Sequence, residues 1–417
     1  MKILHISWSD YYGGASKAAY NVHSSLLREG VDSHMLVQKR YHKQPSVHTY
    51  DNRIVRFLSR LNPYVDHLNL INYTLASDNF FTNARYSFFS LKKKALKLKP
   101  DVIHIHWIGK GCLSLNDMAE FNIPIFVTLH DSWFFTGGCH IIGTCTFFQG
   151  KCGSCPAINS SYINDASTFN FLLKGRIYSK INSLFIIGVS SWISQQARSS
   201  MLLRDKLIVT LPNPVDIQLF SPCPNKDDIS RLAIATDCIN ILVGGFDLTT
   251  DKNKGFHILS ESLVELSREI NIHLYIFGDC ADPCHLNLPC KVSSFGIVED
   301  RQFLASLYAS VDITVVPSLQ ESFCQVAAES IACGTPVVSF ATSGIVDIVK
   351  HKYNGYLADP FSSASLATGI RWILSLNDRE LIRQNARTTA ELSFSFDIVA
   401  KRLVAMYSRA LSSQFNS

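Results

Sequence analysis

Two glutamates eight residues apart, Glu321 and Glu329, stand in the segment PSLQESFCQVAAESIACGTPVV at residues 317–338. An apolar strand there runs into a polar loop carrying Glu321, and a helix starts near Phe323. Gly334, Thr335 and Pro336 break that helix before the next strand. A helix beginning where a parallel strand ends points free N–H groups and partial positive charge beyond the strand, which suits phosphate. One carboxylate in the loop and another two turns into the helix suit the hydroxyls of a sugar or ribose. An ordinary helix acid and an exposed loop charge fit the same spacing. A second segment, GGFDLTTDKNKG at residues 244–255, sets Lys252 and Lys254 directly after an apolar run. Such lysines can neutralise charge growing on a leaving diphosphate, or simply face solvent.

Two apolar runs end in histidine, DVIHIHW at 101–107 and IFVTLHD at 125–131. A histidine at a strand's carboxyl end faces the ligand side of a parallel sheet, whereas one inside the strand is more often packed. His130 is therefore the functional candidate, His104 a structural one, and His106 a candidate for the acceptor side. Gly13 and Gly14 follow the first apolar run and precede an amphipathic segment, where missing side chains let a phosphate or an acceptor approach the backbone. Cys139, Cys145, Cys152 and Cys155 crowd into 17 residues with a C-x-x-C pair, the look of a closed structural zinc site. Disulfides or free thiols are the other readings of those four.

The elements that must position these groups follow from pattern. At 417 residues and 47% hydrophobic, the chain is long enough for two domains with sizeable cores. Short apolar runs at 3–7, 33–37, 102–106 and 123–129, then at 239–243, 273–277, 313–316 and 336–340, alternate with helical segments such as 16–28, 256–268, 302–309 and 323–332. That alternation predicts an α/β class with a doubly wound parallel sheet in each half. We expect an N-terminal domain over 1–210 with a Cys-rich insert at 136–156, and a proline-punctuated linker at 211–224. A second domain follows over 225–390, then a C-terminal helix at 391–417 that crosses back to the first. Doubly wound sheets place ligands beyond the carboxyl ends of their strands, so chemistry is expected in a cleft between two facing domains.

Residues 317–338 resemble the E-x(7)-E signature of the retaining glycosyltransferases of family four, which have the GT-B fold of two facing Rossmann-like domains. The likeness extends upstream through YIFGD at 275–279, Phe295, Gly296, Val311 and Asp312, and downstream through Gly344 and NGYL at 354–357. HDSW at 130–133 is similar to colanic-acid and O-antigen types. The resemblance implies that Glu321 contacts the transferred sugar, Glu329 holds the ribose, and the amides from Ser322 through Phe323 and Cys324 to Gln325 line the pocket. It implies further that Lys254, with Lys252 beside it, meets the diphosphate, and that His130 faces donor sugar and acceptor. Two positions depart from the family. Cys324 stands where glycine is usual, and Thr249 where an arginine is usual. The implied reaction transfers a hexose-type unit from a UDP- or GDP-sugar to a growing, lipid-linked oligosaccharide of a bacterial surface polysaccharide, retaining configuration without a catalytic metal. No Asp-x-Asp occurs in the chain. A nucleotide-sugar epimerase and a non-catalytic sugar- or nucleotide-binding module are the alternatives. The first turn has no G-x-G-x-x-G, which disfavours a dinucleotide enzyme.

Charge adds a partner. Residues 1–210 hold 23 Lys and Arg against 12 Asp and Glu, and the remainder 16 against 22. Arg53, Arg56 and Arg60 recur at helical spacing, and Lys92, Lys93, Lys94, Lys97 and Lys99 form a cluster. Basic amphipathic helices predict peripheral contact with an anionic membrane; no nucleic-acid motif accompanies the charge. The start reads as a strand rather than a signal peptide, and no apolar run is long enough to span a bilayer, so a cytoplasmic protein is expected.

Overall fold

The computed structural model describes residues 1–76, 81–232, 234–279 and 286–414. The chain forms two compact units, Met1–Pro214 with Val399–Ser417, and Val215–Ile398. Each is an α/β unit built on one parallel sheet.

The first sheet has seven strands: β1 (Lys2–Ser9), β2 (Asp32–Lys39), β3 (Val47–His48), β4 (Val102–Ile105), β5 (Ile125–Leu129), β6 (Leu184–Gly188) and β7 (Leu207–Thr210). Their order is β3-β2-β1-β4-β5-β6-β7. In register, His5 of β1 lies beside His104 of β4. Strands β4 and β5 are buried along their whole length, as expected of parallel strands covered on both faces. The second sheet holds β8 (Ile239–Gly245), β9 (Ile272–Gly278), β10 (Lys291–Ser294), β11 (Ile313–Val316), β12 (Val337–Phe340) and β13 (Gly355–Ala358). It runs in the order β10-β9-β8-β11-β12-β13. Order reverses between β1 and β4 in one sheet and between β8 and β11 in the other. Those switch points are where a doubly wound sheet leaves a crevice at its carboxyl edge.

Two boundaries differ from the pattern reading. The stretch over 211–224 is not a free linker: Val215 and Phe220 are fully buried, and the Val215 N–H donates to Phe394 O at 2.7 Å. Its prolines exclude helix but do not stop the chain from packing. The final helix, Phe396–Gln414, belongs mostly to the first unit. Its Val399, Leu403, Tyr407 and Ala410 share a core cluster with Ile3, Val22, Val102 and Phe126. Burial of that many apolar side chains, at about 1.5–3 kcal/mol for each large one, is what fixes the helix there.

Candidate active site

In the second unit, the loops after β8 and β11 are tied to each other by backbone and amide contacts. Leu319 N–H donates to Asn253 O at 2.8 Å, and Asn253 Nδ2 donates to Gln320 O at 2.9 Å. Gly255 makes the close approach possible. Its φ is +65°, and a Cβ there would stand 1.9 Å from Pro317 O, so no other residue fits. The result places Lys254 Nζ 2.9 Å from Glu321 Oε1. That carboxylate, with burial opposing it, raises the Lys254 pKa and keeps the ammonium charged. Lys252 lies exposed in the same short turn and is not part of that ion pair.

The Glu321 loop is pinned from below: its N–H donates to Ser343 Oγ at 2.9 Å, and Gly344 N–H donates to Glu321 O at 2.8 Å. The following helix begins at Gln325, not near Phe323. Cys324 explains the delay, because its φ of 80° and ψ of 87° cannot continue a right-handed helix. A cysteine thus occupies a left-handed position that ordinarily favours glycine. Its thiol is buried, and burial, reinforced by Glu321, pushes its pKa up. Among the described residues, the N–H groups of Ser322, Phe323, Cys324 and Gln325 have no hydrogen-bond acceptor. Free N–H donors opening a helix beside a charged lysine form an anion site. One turn into the helix, Glu329 is buried and accepts from Gln325 Nε2 at 3.2 Å and, at the long limit, from Tyr308 Oη at 3.4 Å. The pattern reading missed Asn253, Ser343 and Tyr308, whose work shows only in three dimensions.

In the first unit, Gly13 opens the helix Gly14–Arg28 with a φ of +85°, and open space stands where a Cβ of Gly13 or Gly14 would be. His130 follows β5 and is partly exposed. Its Nε2 lies 2.9 Å from His106 Nδ1, and His106 Nε2 lies 3.1 Å from His5 Nδ1. His106 is therefore no lining residue. It is fully buried, with both nitrogens spent on other histidines. His104 is structural as expected, closed between Tyr407 Oη and Thr128 Oγ1 at 2.6 Å each. Burial lowers the pKa of His130 to about 4 and of His104 to about 3, so these imidazoles are neutral at pH 7. His5, His104 and His106 form a possible three-ligand group by proximity. The hydrogen bonds of His104 and His106 nevertheless occupy all four of their nitrogens.

Cys139, Cys145, Cys152 and Cys155 all line one small cavity of about 10 Å³, the room of a single water. All four are free thiols in this structure. Among the described residues no three of their sulfurs lie within 4.8 Å of one another. A tetrahedral zinc with bonds of ~2.3 Å needs them closer. Beside them Lys174 is fully buried, held by the carbonyls of Trp133 and Thr136 and set 3.6 Å over the Trp133 ring. Burial lowers its pKa to about 7, against the opposing pull of Cys139 and Cys152. Nothing in its sequence surroundings marks this lysine as buried. His140 is committed elsewhere, with Nδ1 2.6 Å from Asp131 Oδ2 and Nε2 2.9 Å from Thr82 Oγ1.

The basic segments differ from one another. Lys92 pairs with Glu120 at 2.7 Å, while Lys94 and Lys97 pair with Asp51. Three of the five lysines in that cluster are thus paired, two of them sharing one carboxylate. Arg53, Arg56 and Arg60 make no ion pair among the described residues. Around them Ile54, Phe57, Leu61, Tyr64, Leu68 and Ile71 are each 52–74% exposed. They recur three and four residues apart along nearly continuous helix, so they form one apolar stripe facing solvent rather than core.

Comparison with known proteins agrees with this architecture. Residues 12–219 match the family described as Glycosyltransferase Family 4, and residues 249–389 match Glycosyl transferases group 1. The chain is 34% identical over 367 residues to the uncharacterized glycosyltransferase MJ1607 of Methanocaldococcus jannaschii, covering 84% of this chain and 87% of that one. It is 40% identical over 219 residues to a D-inositol 3-phosphate glycosyltransferase of Geodermatophilus obscurus, covering 48% of this chain and 47% of that one. In fold it is similar to a sucrose-phosphate synthase from Thermosynechococcus elongatus, with a TM-score of 0.68 at 18% identity over 99% of this chain and 100% of that one. It is also similar to Anabaena HepE in complex with UDP and glucose, with a TM-score of 0.67 at 19% identity over 98% and 99%. With two Rossmann-like units and a full-length relative at this identity, the chain belongs to the family-four glycosyltransferases of GT-B fold.

Proposed function

We propose that the protein transfers a hexose-type unit from a UDP- or GDP-sugar, with retention, to a lipid-linked oligosaccharide of a bacterial surface polysaccharide. The observation that carries the donor reading is the group of unpaired N–H donors from Ser322 to Gln325 beside the charged Lys254. A diphosphate is the ligand such a group fits. In this reading Lys254 and the amides take the negative charge of the departing nucleoside diphosphate, where electrostatic stabilisation is largest. Lys252, exposed nearby, adds a second cation. Glu321 accepts from a sugar hydroxyl, and Glu329 from the ribose. Gly13 and Gly14 leave room for the phosphates. The leaving oxygen and the incoming hydroxyl react on one face of an oxocarbenium-like centre, so neither a protein nucleophile nor a catalytic metal is required. That HepE binds UDP supports a uridine donor. A thermal-shift panel of nucleotides and nucleotide sugars tests this. A true donor at 100 times its Kd should stabilise by ~2.7 kcal/mol, and no shift with any of them would overturn the reading.

The exposed stripe from Ile54 to Ile71, with its three unpaired arginines, supports peripheral contact with an anionic bilayer. No helix of the described residues is long and apolar enough to cross a membrane. Binding to anionic liposomes should fall on replacing Arg53, Arg56 and Arg60 by Glu, and equal binding to neutral liposomes would remove the idea. For the four cysteines the proposal is one structural zinc, whose binding would have to draw together sulfurs that stand too far apart for it in this structure. Four thiolates on a dication carry a net double negative charge, which would compensate the buried Lys174. About one zinc per purified chain, released by Cys152→Ser, is the expected result; metal-free protein would leave free thiols.

A further inference from the structure

His5 lies in β1, His106 and His130 directly follow β4 and β5, and the three rings are joined by two contacts. A neutral imidazole has one N–H and one bare nitrogen, so each can donate once and accept once. The two contacts, His5 Nδ1 to His106 Nε2 and His106 Nδ1 to His130 Nε2, therefore allow only two proton orders. In one order the protons sit on all three Nδ1 atoms. Each histidine then donates toward His130, and His130 is left with its own Nδ1–H unspent. In the other order the protons sit on all three Nε2 atoms, and each donates back toward His5.

The far end of the line chooses between them. His5 is fully buried, and its Nε2 has no hydrogen-bond partner. The second order would strand an N–H donor there. The first strands a lone pair instead; among backbone groups buried orphan N–H donors are rarer than unsatisfied acceptors, and we take the same preference for this imidazole. The neighbours offer no relief. His104 is saturated by Tyr407 and Thr128, and His23 by Ser33 and Ser46. On the exposed side, His130 Nδ1 makes no hydrogen bond among the described residues, so it is the one free nitrogen facing outward.

We infer that His5 and His106 are positioning residues that lock His130 as the Nδ1–H tautomer, so that it presents a hydrogen-bond donor and never a base to an oxygen of the bound sugar. The depressed pKa of His130 is consistent with this, because a charged ring would have to force an N–H onto a neighbour already donating to it. His130 then holds an oxygen in place, while its base-capable Nε2 is spent on His106. The inference rests on the glycosyltransferase reading for its sugar, but the tautomer itself does not.

The test is two-bond 1H–15N correlation NMR on the full-length protein with 15N-histidine, signals being assigned by single substitution. At pH 7 without ligand, His130 should show a protonated Nδ1 and a bare Nε2. A protonated Nε2, or an imidazolium, would overturn the inference whatever the enzyme does. His106→Phe should give a mixture of His130 tautomers and lower kcat about ten-fold, the worth of one hydrogen bond, with donor KM little changed. His106→Asn, whose amide can reach the place of Nδ1, should recover most of both. If Phe and Asn behave alike while wild-type His130 carries its proton on Nδ1, His106 only packs and the locking role falls. Correct tautomers in a protein that turns over no nucleotide sugar would instead defeat the proposed function alone.

Discussion

The two units bring opposite chemistry to the carboxyl ends of their sheets. The Val215–Ile398 unit presents charge: a lysine, a glutamate and unpaired N–H groups, all held within two loops and one helix start. The first unit presents neutral imidazoles, drawn from β1 and from the ends of β4 and β5 and held by burial. A charged site tolerates solvent and depends on backbone geometry. A neutral one depends on keeping protons out. The two should therefore fail under different insults, and the largest effect should come from backbone geometry. In Gly255→Ala the new Cβ meets Pro317 O and the residue must keep a φ of +65°. We expect a loss of about 2–5 kcal/mol, adding the left-handed penalty to overpacking. Urea melts should show it in the Val215–Ile398 unit, and a loss below about 1 kcal/mol would mean the loops are not packed as described.

Acid should attack the other unit. Histidine in an unfolded chain titrates near ~6.5. Burial depresses His130 to about 4 and His104 to about 3, and drives His5 and His106 well below the ordinary value. The unfolded state thus takes up protons that the folded state refuses. Stability is full above pH ~6.5 and falls as pH drops toward the folded values, His130 alone accounting for about 3 kcal/mol. Asp131, whose carboxyl is held low despite burial by His140 and the Trp133 N–H, adds loss in the same direction at lower pH. Melting followed from pH 7 to 4.5 should show the first unit weakening. A level melting temperature over that window would show that these histidines take up protons in the folded state.

How far each region was legible follows from the same contrast. Glu321, Glu329, Lys254 and Gly255 stand in local patterns, so their chain positions already announce the loop, the helix and the candidate anion site. The start of that helix was misplaced, since nothing local says that Cys324 takes a left-handed conformation. His130 was legible as a strand-end residue. His5 was not, because it sits in the middle of β1, and only the β1–β4 and β4–β5 pairings bring it into line with His106 and His130. Arg53, Arg56 and Arg60 read as a basic helix, but sequence alone could not say that an apolar stripe running on to Ile71 turns to solvent.

Substitution of the two glutamates should divide binding from turnover. Glu329→Ala removes the buried carboxylate proposed for the ribose and should weaken nucleotide binding by about 10- to 150-fold, the range for a hydrogen bond to a charged group. Glu321→Ala should leave nucleotide affinity closer to wild type and lower kcat instead. It also frees Lys254, its partner at 2.9 Å, so nucleotide affinity should if anything rise slightly. Calorimetric titration with UDP and GDP separates the two. Wild-type affinity in Glu329→Ala would strike that residue from the donor site.

The smallest effect on stability should come from Cys324. At φ 80° a side chain costs ~1–2 kcal/mol relative to glycine. Cys324→Gly relieves that strain, but it adds ~0.5–1 kcal/mol of unfolded-chain entropy and gives up the burial of a thiol that is 6% exposed. These terms nearly cancel, so the change in stability should stay within about 1 kcal/mol. Cys324→Val makes the opposite case, because a branched side chain is a true outlier in this region and should cost at least about 2 kcal/mol. The pair separates strain from pocket shape. Cys324→Gly should keep nucleotide affinity within about two-fold while admitting donors with bulkier sugars, because only the space beside Glu321 changes. Unchanged donor preference at full stability would show that the thiol does not shape the sugar pocket, leaving its conformation as a feature of the helix start alone.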